Sequence, residues 1–413
     1  MNLNDGQLGH IGVGAHRVKL SWVLLITLVN LGTYVAFFGP LQILLPMHAE
    51  ALEPGRKEWA FAVVSGFGAA ISLFANPLFG ALSDRTRSRF GRRVPWISAG
   101  SVGGAFGLVI LSSAQSLIVM IIGWCLVQLA VNASLAAVTA TLPDQVPVEQ
   151  RAWAGGWVSL GQTFGVLVGA GLAIAFGGYQ AGYLACAAFL VLSALPYIFR
   201  SKDEPLTERP DWNLAEFIRS FWISPAQHPD FAWAWIVRFV VGLANAIATL
   251  YLLYFLQDAV GLKDPEGGMF ILITLYTVVV SAAAVGFGVL SDKLGIRREF
   301  VAVSGFIMLI ASVLLAFWQT WPGALVAAAI LGLGYGIFMA VDLAIVTEVL
   351  PNKSGFAKDM GVINIANASP QVLAPVIAAP IVVSAGGYMA LYLLSGALGV
   401  LGTILVFRIK GVR

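Results

Sequence analysis

Apolar runs of about 20 residues recur from one end of this 413-residue chain to the other. Each is long enough to cross a bilayer as a helix. That feature constrains the fold more than any other, because a backbone inside lipid must satisfy its own N–H and C=O groups. Composition agrees: 59% hydrophobic and 11% charged residues leave too little polar surface for a water-soluble globule. The fold class is all-α integral membrane. Twelve spans are predicted, at about residues 20–46, 58–82, 95–113, 117–142, 152–176, 180–199, 230–257, 268–291, 299–318, 322–349, 358–384 and 387–407. Both cysteines, Cys125 and Cys186, fall inside apolar runs, which argues against a disulfide framework. Met1–Lys19 is Gly-rich and polar and leads straight into a span, unlike a cleavable signal peptide.

The loop Gly80–Arg93, G-A-L-S-D-R-T-R-S-R-F-G-R-R, joins spans 2 and 3 and holds five arginines: Arg85, Arg87, Arg89, Arg92 and Arg93. Cations in short loops stay on the cytoplasmic side. Of the 24 Lys and Arg, only Arg56, Lys57 and Lys263 fall on the opposite side, and Arg238 lies within a span. The predicted topology is a multi-pass plasma-membrane protein with both termini cytoplasmic. The outer loops Met47–Lys57 and Asp258–Gly267 are mainly acidic.

The hairpin has a weaker copy, G-V-L-S-D-K-L-G-I-R-R at Gly288–Arg298, and Asp292 follows Asp84 by 208 positions. Asp144-Gln-Val-Pro147 after span 4 likewise matches Glu348-Val-Leu-Pro351 after span 10, 204 positions on. In the spans that follow, Ser159 pairs with Asn364 and Gln162 with Asn367. The chain therefore divides into two six-helix bundles, residues 1–199 and 230–413, joined by a linker over 200–229. Within the linker, Leu214, Phe217, Ile218, Phe221 and Trp222 follow the spacing of an amphipathic helix, capped by Asn213 with Glu216, that would lie on the inner leaflet as a tether.

The loop after span 2, with its echo after span 8, resembles the signature hairpin of the major facilitator superfamily. The extended form S-D-R-T-R-S-R-F-G-R-R-V-P-W, and N-I-A-N-A-S-P-Q-V-L-A-P at Asn364–Pro375, resemble the branch of sucrose and glycoside–pentoside–hexuronide cation symporters, in its actinobacterial type. The resemblance implies alternating access, a small-molecule substrate, protons as coupling ion, surrounding membrane lipid, a monomer, no cofactor and no nucleic-acid partner. It assigns gating to Gly80, Asp84, Arg85, Arg89, Gly91, Arg92, Arg93, Gly288 and Asp292. Gly80 would let spans 2 and 11 approach closely. Asp84 would meet the start of span 11 (Lys358–Gly361), and Asp292 the start of span 5 (Trp153–Gly156), at helix N-termini that attract negative charge. The plainer reading of the arginines is topology and lipid phosphate.

An ionisable side chain inside a span costs about 2.5–3.5 kcal/mol on insertion scales. Two residues carry that cost here, Arg238 in span 7 and Asp342 in span 10. They lie at matching depth, roughly 12 Å and roughly 10 Å from the hairpin side at 1.5 Å per residue. Opposite charges so placed predict an ion pair, either structural or one in which Asp342 exchanges a proton. Uncharged polar side chains would line the rest of a cavity between the halves: Asn30, Tyr34 and Gln42 in span 1, Gln128 and Asn132 in span 4, Gln162 in span 5, Asn245 in span 7, Tyr335 in span 10, and Asn364, Asn367 and Gln371 in span 11. Amides beside aromatics suit a hydroxylated ligand, though the same amides also bond helix to helix in lipid. Sucrose- and melibiose-type symporters place carboxylates in N-terminal spans; here spans 1, 2, 4 and 5 hold no interior Asp or Glu, so that cation site does not carry over.

An enzyme is excluded by the want of a nucleophile–base pair, a Cys/His metal cluster or a phosphate loop. The readings that remain are sugar or glycoside uptake by proton symport, proton-coupled export of a drug-like metabolite, and a transporter-shaped sensor or scaffold.

Overall fold

The computed structural model describes residues 17–201, 224–349, 356–384 and 386–411, without the side chains of a few of them, Asp292, Asn364 and Phe356–Gly361 included. The predicted linker helix lies outside the described residues. Among the described residues, twelve helices are long and apolar enough to cross a membrane: span 1 (Leu20–Leu52), span 2 (Pro54–Asp84), span 3 (Val94–Ser113), span 4 (Leu117–Gln145), span 5 (Glu149–Ala175), span 6 (Tyr179–Arg200), span 7 (Pro229–Asp258), span 8 (Pro265–Ser291), span 9 (Arg297–Phe317), span 10 (Trp321–Val346), span 11 (Ile365–Val383) and span 12 (Gly387–Val406).

The packing repeats with a shift of six. Span 1 lies on spans 5 and 6, span 3 on spans 4 and 6, and span 2 on span 4; span 7 lies on spans 11 and 12, span 9 on spans 10 and 12, and span 8 on span 10. The two halves meet where span 2 runs along span 11 and span 5 along span 8. Small residues let helices of one half approach closely, as packing in lipid favours. A Cβ on Gly161 would come within 2.6 Å of the Thr27 carbonyl oxygen, and one on Gly165 within 2.8 Å of that of Leu31. A bulkier side chain at either position would force spans 1 and 5 apart.

Span 1 differs from expectation at its far end. The stretch after Pro46 reads as loop, yet helix continues to Leu52 through a π-turn at Pro40–Leu44. Proline removes a backbone donor and crowds the preceding turn. The wider π-turn, a single-turn bulge within the helix, accommodates Pro40 and carries the chain on to Pro46. Span 7 is likewise two helices, Pro229–Leu250 and Leu252–Asp258, broken at Tyr251.

Burial distinguishes the two ends. One apolar cluster draws on both halves, with Leu44, Phe61, Trp124, Tyr251, Phe255 and Leu272 among its members, and it lies toward the end remote from the arginine hairpin. The clusters nearer the hairpins each belong to a single half. There, a Cβ added at Gly80, Gly155, Gly156 or Gly288 would meet nothing within 4 Å. Among the described residues, the apolar packing shared by both halves lies at the far end.

Candidate functional site

Arg238 and Asp342 are the charged centre of the molecule. Arg238 Nη1 lies 2.9 Å from Asp342 Oδ2, and both side chains are largely buried. Arg238 Nε also donates to Asn367 Oδ1 at 2.5 Å, so spans 7, 10 and 11 converge on one guanidinium. Removing either ion would strand the other in a medium of low polarity, which costs about 3–5 kcal/mol for a buried pair. Nearby in the same half, Tyr276 donates to Asn245 Oδ1 at 2.9 Å, and the Tyr335 and Phe338 rings lie 6.0 Å apart.

The other half supplies neutral groups. Asn132 Nδ2 donates to Ser72 Oγ at 3.0 Å and to the Gln128 carbonyl oxygen at 2.8 Å, linking spans 2 and 4. Tyr34 stacks on Phe38 at 5.9 Å in span 1. Gln162 and Asn367, matched by the internal repeat, are both exposed, while Gln42 and Gln371 are half-buried. Asn30 departs from the expected cavity lining: it is buried, and its Nδ2 donates to the Val158 carbonyl oxygen at 2.8 Å. The amide is occupied in tying span 1 to span 5. The side chain of Asn364 lies outside the described residues. The predicted residues thus form one charged group in the C-terminal half and one neutral group in the N-terminal half.

The hairpin is built around Arg93. Its Nη2 lies 2.6 Å from both Asp84 Oδ1 and Asp144 Oδ2, its Nε donates to Asp144 Oδ2 at 2.8 Å, and its Nη1 donates to Ser83 Oγ at 2.5 Å. Arg92 adds a 3.0 Å pair to Asp144. Burial alone would lower the Arg93 pKa, but the Asp144 and Asp84 carboxylates outweigh it and raise the guanidinium above its ordinary value. Gly91 turns the loop with φ 88°, in the left-handed region that favours glycine, and the Arg89 guanidinium lies 4.7 Å from the Phe90 ring centre. Arg85 closes span 2, its N–H bonding the Leu82 carbonyl. A Cβ on Gly80 would meet nothing within 4 Å among the described residues, so the expected close packing of span 11 is not seen there. Asp84 is more than half exposed and faces Arg93. Its expected partners at Lys358–Gly361, and the side chain of Asp292, lie outside the described residues. In the second hairpin Gly288 is also clear of neighbours, and Arg297 pairs with Glu348.

A third cluster, at the far end, is one the sequence does not single out. Lys57 Nζ, from span 2, is 2.7 Å from Asp258 Oδ1 and 3.2 Å from both Glu50 Oε1 and Gln257 Oε1. Gln257 returns a bond to Glu50 at 2.8 Å, and Tyr388 donates to Asp258 Oδ2 at 2.7 Å. Tyr254 donates to the Pro46 carbonyl oxygen at 2.9 Å and presents its ring 5.0 Å from the Lys57 ammonium. Residues 46–58 of one half are thereby clamped to residues 251–258 of the other. The signal available in the sequence was a lone lysine at the end of a span facing acidic outer loops.

A sequence profile of the Major Facilitator Superfamily matches residues 23–273 and again 234–412. The chain belongs to the major facilitator superfamily. It is 23% identical to sucrose transport protein SUC4 of Arabidopsis thaliana over 89% of this chain and 86% of that one. It is 29% identical to the general alpha-glucoside permease of Schizosaccharomyces pombe over 28% of this chain, and the matched stretch spans only 24% of that permease. Multidrug resistance protein MdtG of Salmonella typhimurium is 24% identical over 75% of this chain and 76% of its own. Among solved structures, the nucleoside transporter NupG superposes with a TM-score of 0.77 at 12% identity, covering 94% of this chain and all of that one. A bacterial homolog of the human lysosomal transporter Spinster, inward-facing and unoccupied, gives 0.71 at 13% identity over 94% of each chain. These structures share the fold. The chain is a multi-pass membrane protein of this superfamily.

Proposed function

We propose that this transporter takes up a sugar or glycoside together with a proton, by alternating access. In this reading the hairpin side is cytoplasmic, the chain is a monomer in the plasma membrane, and the present structure is the inward-open, unloaded state. The moving bodies are residues 1–199 and 230–413, with 200–229 as tether. The observation that carries the proposal is the Arg238–Asp342 pair at 2.9 Å, an acid and a base opposed inside a membrane span.

The pair supplies a coupling cycle. With the far side open, a proton neutralises Asp342 and loosens its hold on Arg238. The guanidinium, an obligate donor, then turns to the hydroxyl oxygens of the substrate. Gln128, Asn132, Asn245 and Gln371 offer further donors and acceptors, and Tyr34 and Tyr335 offer faces for the apolar side of a sugar ring. After rocking, substrate and proton leave on the hairpin side and the ion pair re-forms. Parallel halves of this kind place the site near mid-membrane at their interface. Asp84 with Arg85, Arg89, Arg92 and Arg93, and Asp292 with Gly288, close the hairpin side in the opposite state.

Similarity to the alpha-glucoside permease and to SUC4 supports a sugar. Similarity to MdtG favours a second reading, proton-coupled export of a drug-like solute. Proteoliposomes with a trapped pH indicator separate the two. Proton movement triggered by a glycoside, and lost in Asp342→Asn, is the expected result. Silence toward every sugar with flux on adding a lipophilic cation would replace uptake by export. Glycoside-driven flux unchanged in Asp342→Asn would leave the pair a structural strut.

A further inference from the structure

A cavity of about 560 Å³ lies between the far ends of spans 2 and 11, walled by Trp59 and Val63 on one side and Val376 and Val383 on the other. Trp59, Val376 and Val383 are 47%, 58% and 66% exposed. At this end the space between the halves is closed by the Lys57 clamp and the shared apolar cluster, so this exposure is to the bilayer. Inside a membrane, an apolar slot open sideways accepts a hydrocarbon chain.

The lip of the slot is charged. Arg56 is two-thirds exposed, lies 5.6 Å from the Trp59 ring centre and is 3.4 Å from Glu53 Oε2. Glu58 borders the same cavity. A guanidinium pairs with phosphate, and a carboxylate beside it accepts bonds from an ammonium. The cation and acids stand on one short stretch at the far end of span 2, where a spanning helix leaves the hydrocarbon core for the headgroups. We propose that this groove binds a zwitterionic phospholipid with a primary ammonium headgroup, phosphatidylethanolamine. One acyl chain lies between spans 2 and 11, the phosphate rests on Arg56, and the ammonium rests on Glu53 or Glu58. Because one wall comes from each half, the slot exists in this form only while the far side is closed. A lipid that binds one state more tightly shifts the population toward it. Bound phosphatidylethanolamine therefore favours the state described here, whatever solute is carried.

The test uses the full chain in nanodiscs of phosphatidylcholine alone, or with phosphatidylethanolamine or phosphatidylglycerol added. The expected result is a rise of about 2–4 °C in the unfolding midpoint with phosphatidylethanolamine over phosphatidylcholine alone, the size that a modest ligand gives a large domain. Native mass spectrometry should show that lipid retained. Val376→Trp fills the slot from an exposed position, so its midpoint in phosphatidylcholine should match wild type while the gain disappears. Val383→Trp, on the same wall, should behave alike, and Arg56→Ala should reduce the gain. No gain in the wild type, or a gain that survives both tryptophan variants, would overturn the site. An equal gain with phosphatidylglycerol would overturn the zwitterionic headgroup.

Discussion

Arg93 and Arg297 stand 204 residues apart, and so do their partners Asp144 and Glu348. The two halves have kept one ion pair at one place in the fold and treat it differently. Arg93 is 2% exposed and engages Asp84, Asp144 and Ser83. Arg297 is 21% exposed, and Glu348, nearly half exposed itself, is among its partners. The reverse holds at mid-membrane. Span 1 is tied to span 5 by a neutral amide, Asn30 on the Val158 carbonyl, whereas span 7 is tied to span 11 by Arg238 on Asn367, with Asp342 as counter-charge. Duplication supplied the same scaffold twice. The N-terminal copy concentrates charge in its hairpin, and the C-terminal copy carries a buried ion pair within its spans.

That division of labour can be broken by paired substitutions. The largest contrast is expected between Asp342→Asn and Asn30→Ala. The first should abolish gradient-driven accumulation while leaving substrate exchange. The second should leave accumulation intact and cost about 1 kcal/mol of stability, the worth of one interhelical hydrogen bond; uptake assays with a thermal melt decide both. Next comes Asp84→Asn, which should express normally yet transport at a small fraction of the wild-type rate. Asp292→Asn, in the hairpin with fewer arginines, should lose less. Wild-type turnover in Asp84→Asn would remove that carboxylate from the gate. A smaller contrast, read by thermal or denaturant unfolding, concerns the ion pairs. Arg93→Ala should destabilise by about 3 kcal/mol, the low end for breaking a buried pair, because Asp84 and Asp144 keep access to water. Arg297→Ala should cost less than Arg93→Ala, because the Arg297–Glu348 pair is more open to water.

The spans, the hairpins and the family were legible because each rests on a local pattern: an apolar run, or a dense motif beside one. The repeat was legible in Asp84 with Asp292 and in Asp144 with Glu348, where spacing survives even as composition drifts. What stayed hidden is long-range. Lys57 reads in the sequence as one of three outer cations, and nothing local marks Asp258, 201 residues away, as its partner. Asn30 has the signature of a cavity amide, because a polar side chain in an apolar run looks alike whether it faces a substrate or a neighbouring carbonyl. The helical end of span 1 was masked by Pro40 and Pro46, which argue for a break unless a π-turn takes up the misfit.

The Lys57 clamp has a property that follows from who its partners are. Glu50 belongs to the same half as Lys57, and Tyr388 to the same half as Asp258. In the alternating-access cycle proposed above the halves separate at this end; the ammonium then keeps a carboxylate and the aspartate a hydroxyl donor, so neither is left stranded. The contact works as a latch and not as a weld. A ligand must discriminate between two states by about 5.5 kcal/mol to turn a 1:99 mixture into 99:1. A seal made of ions with no partner but each other would demand far more than that. One whose members each retain a companion would keep both orientations of that cycle within reach of the binding energy of a single solute.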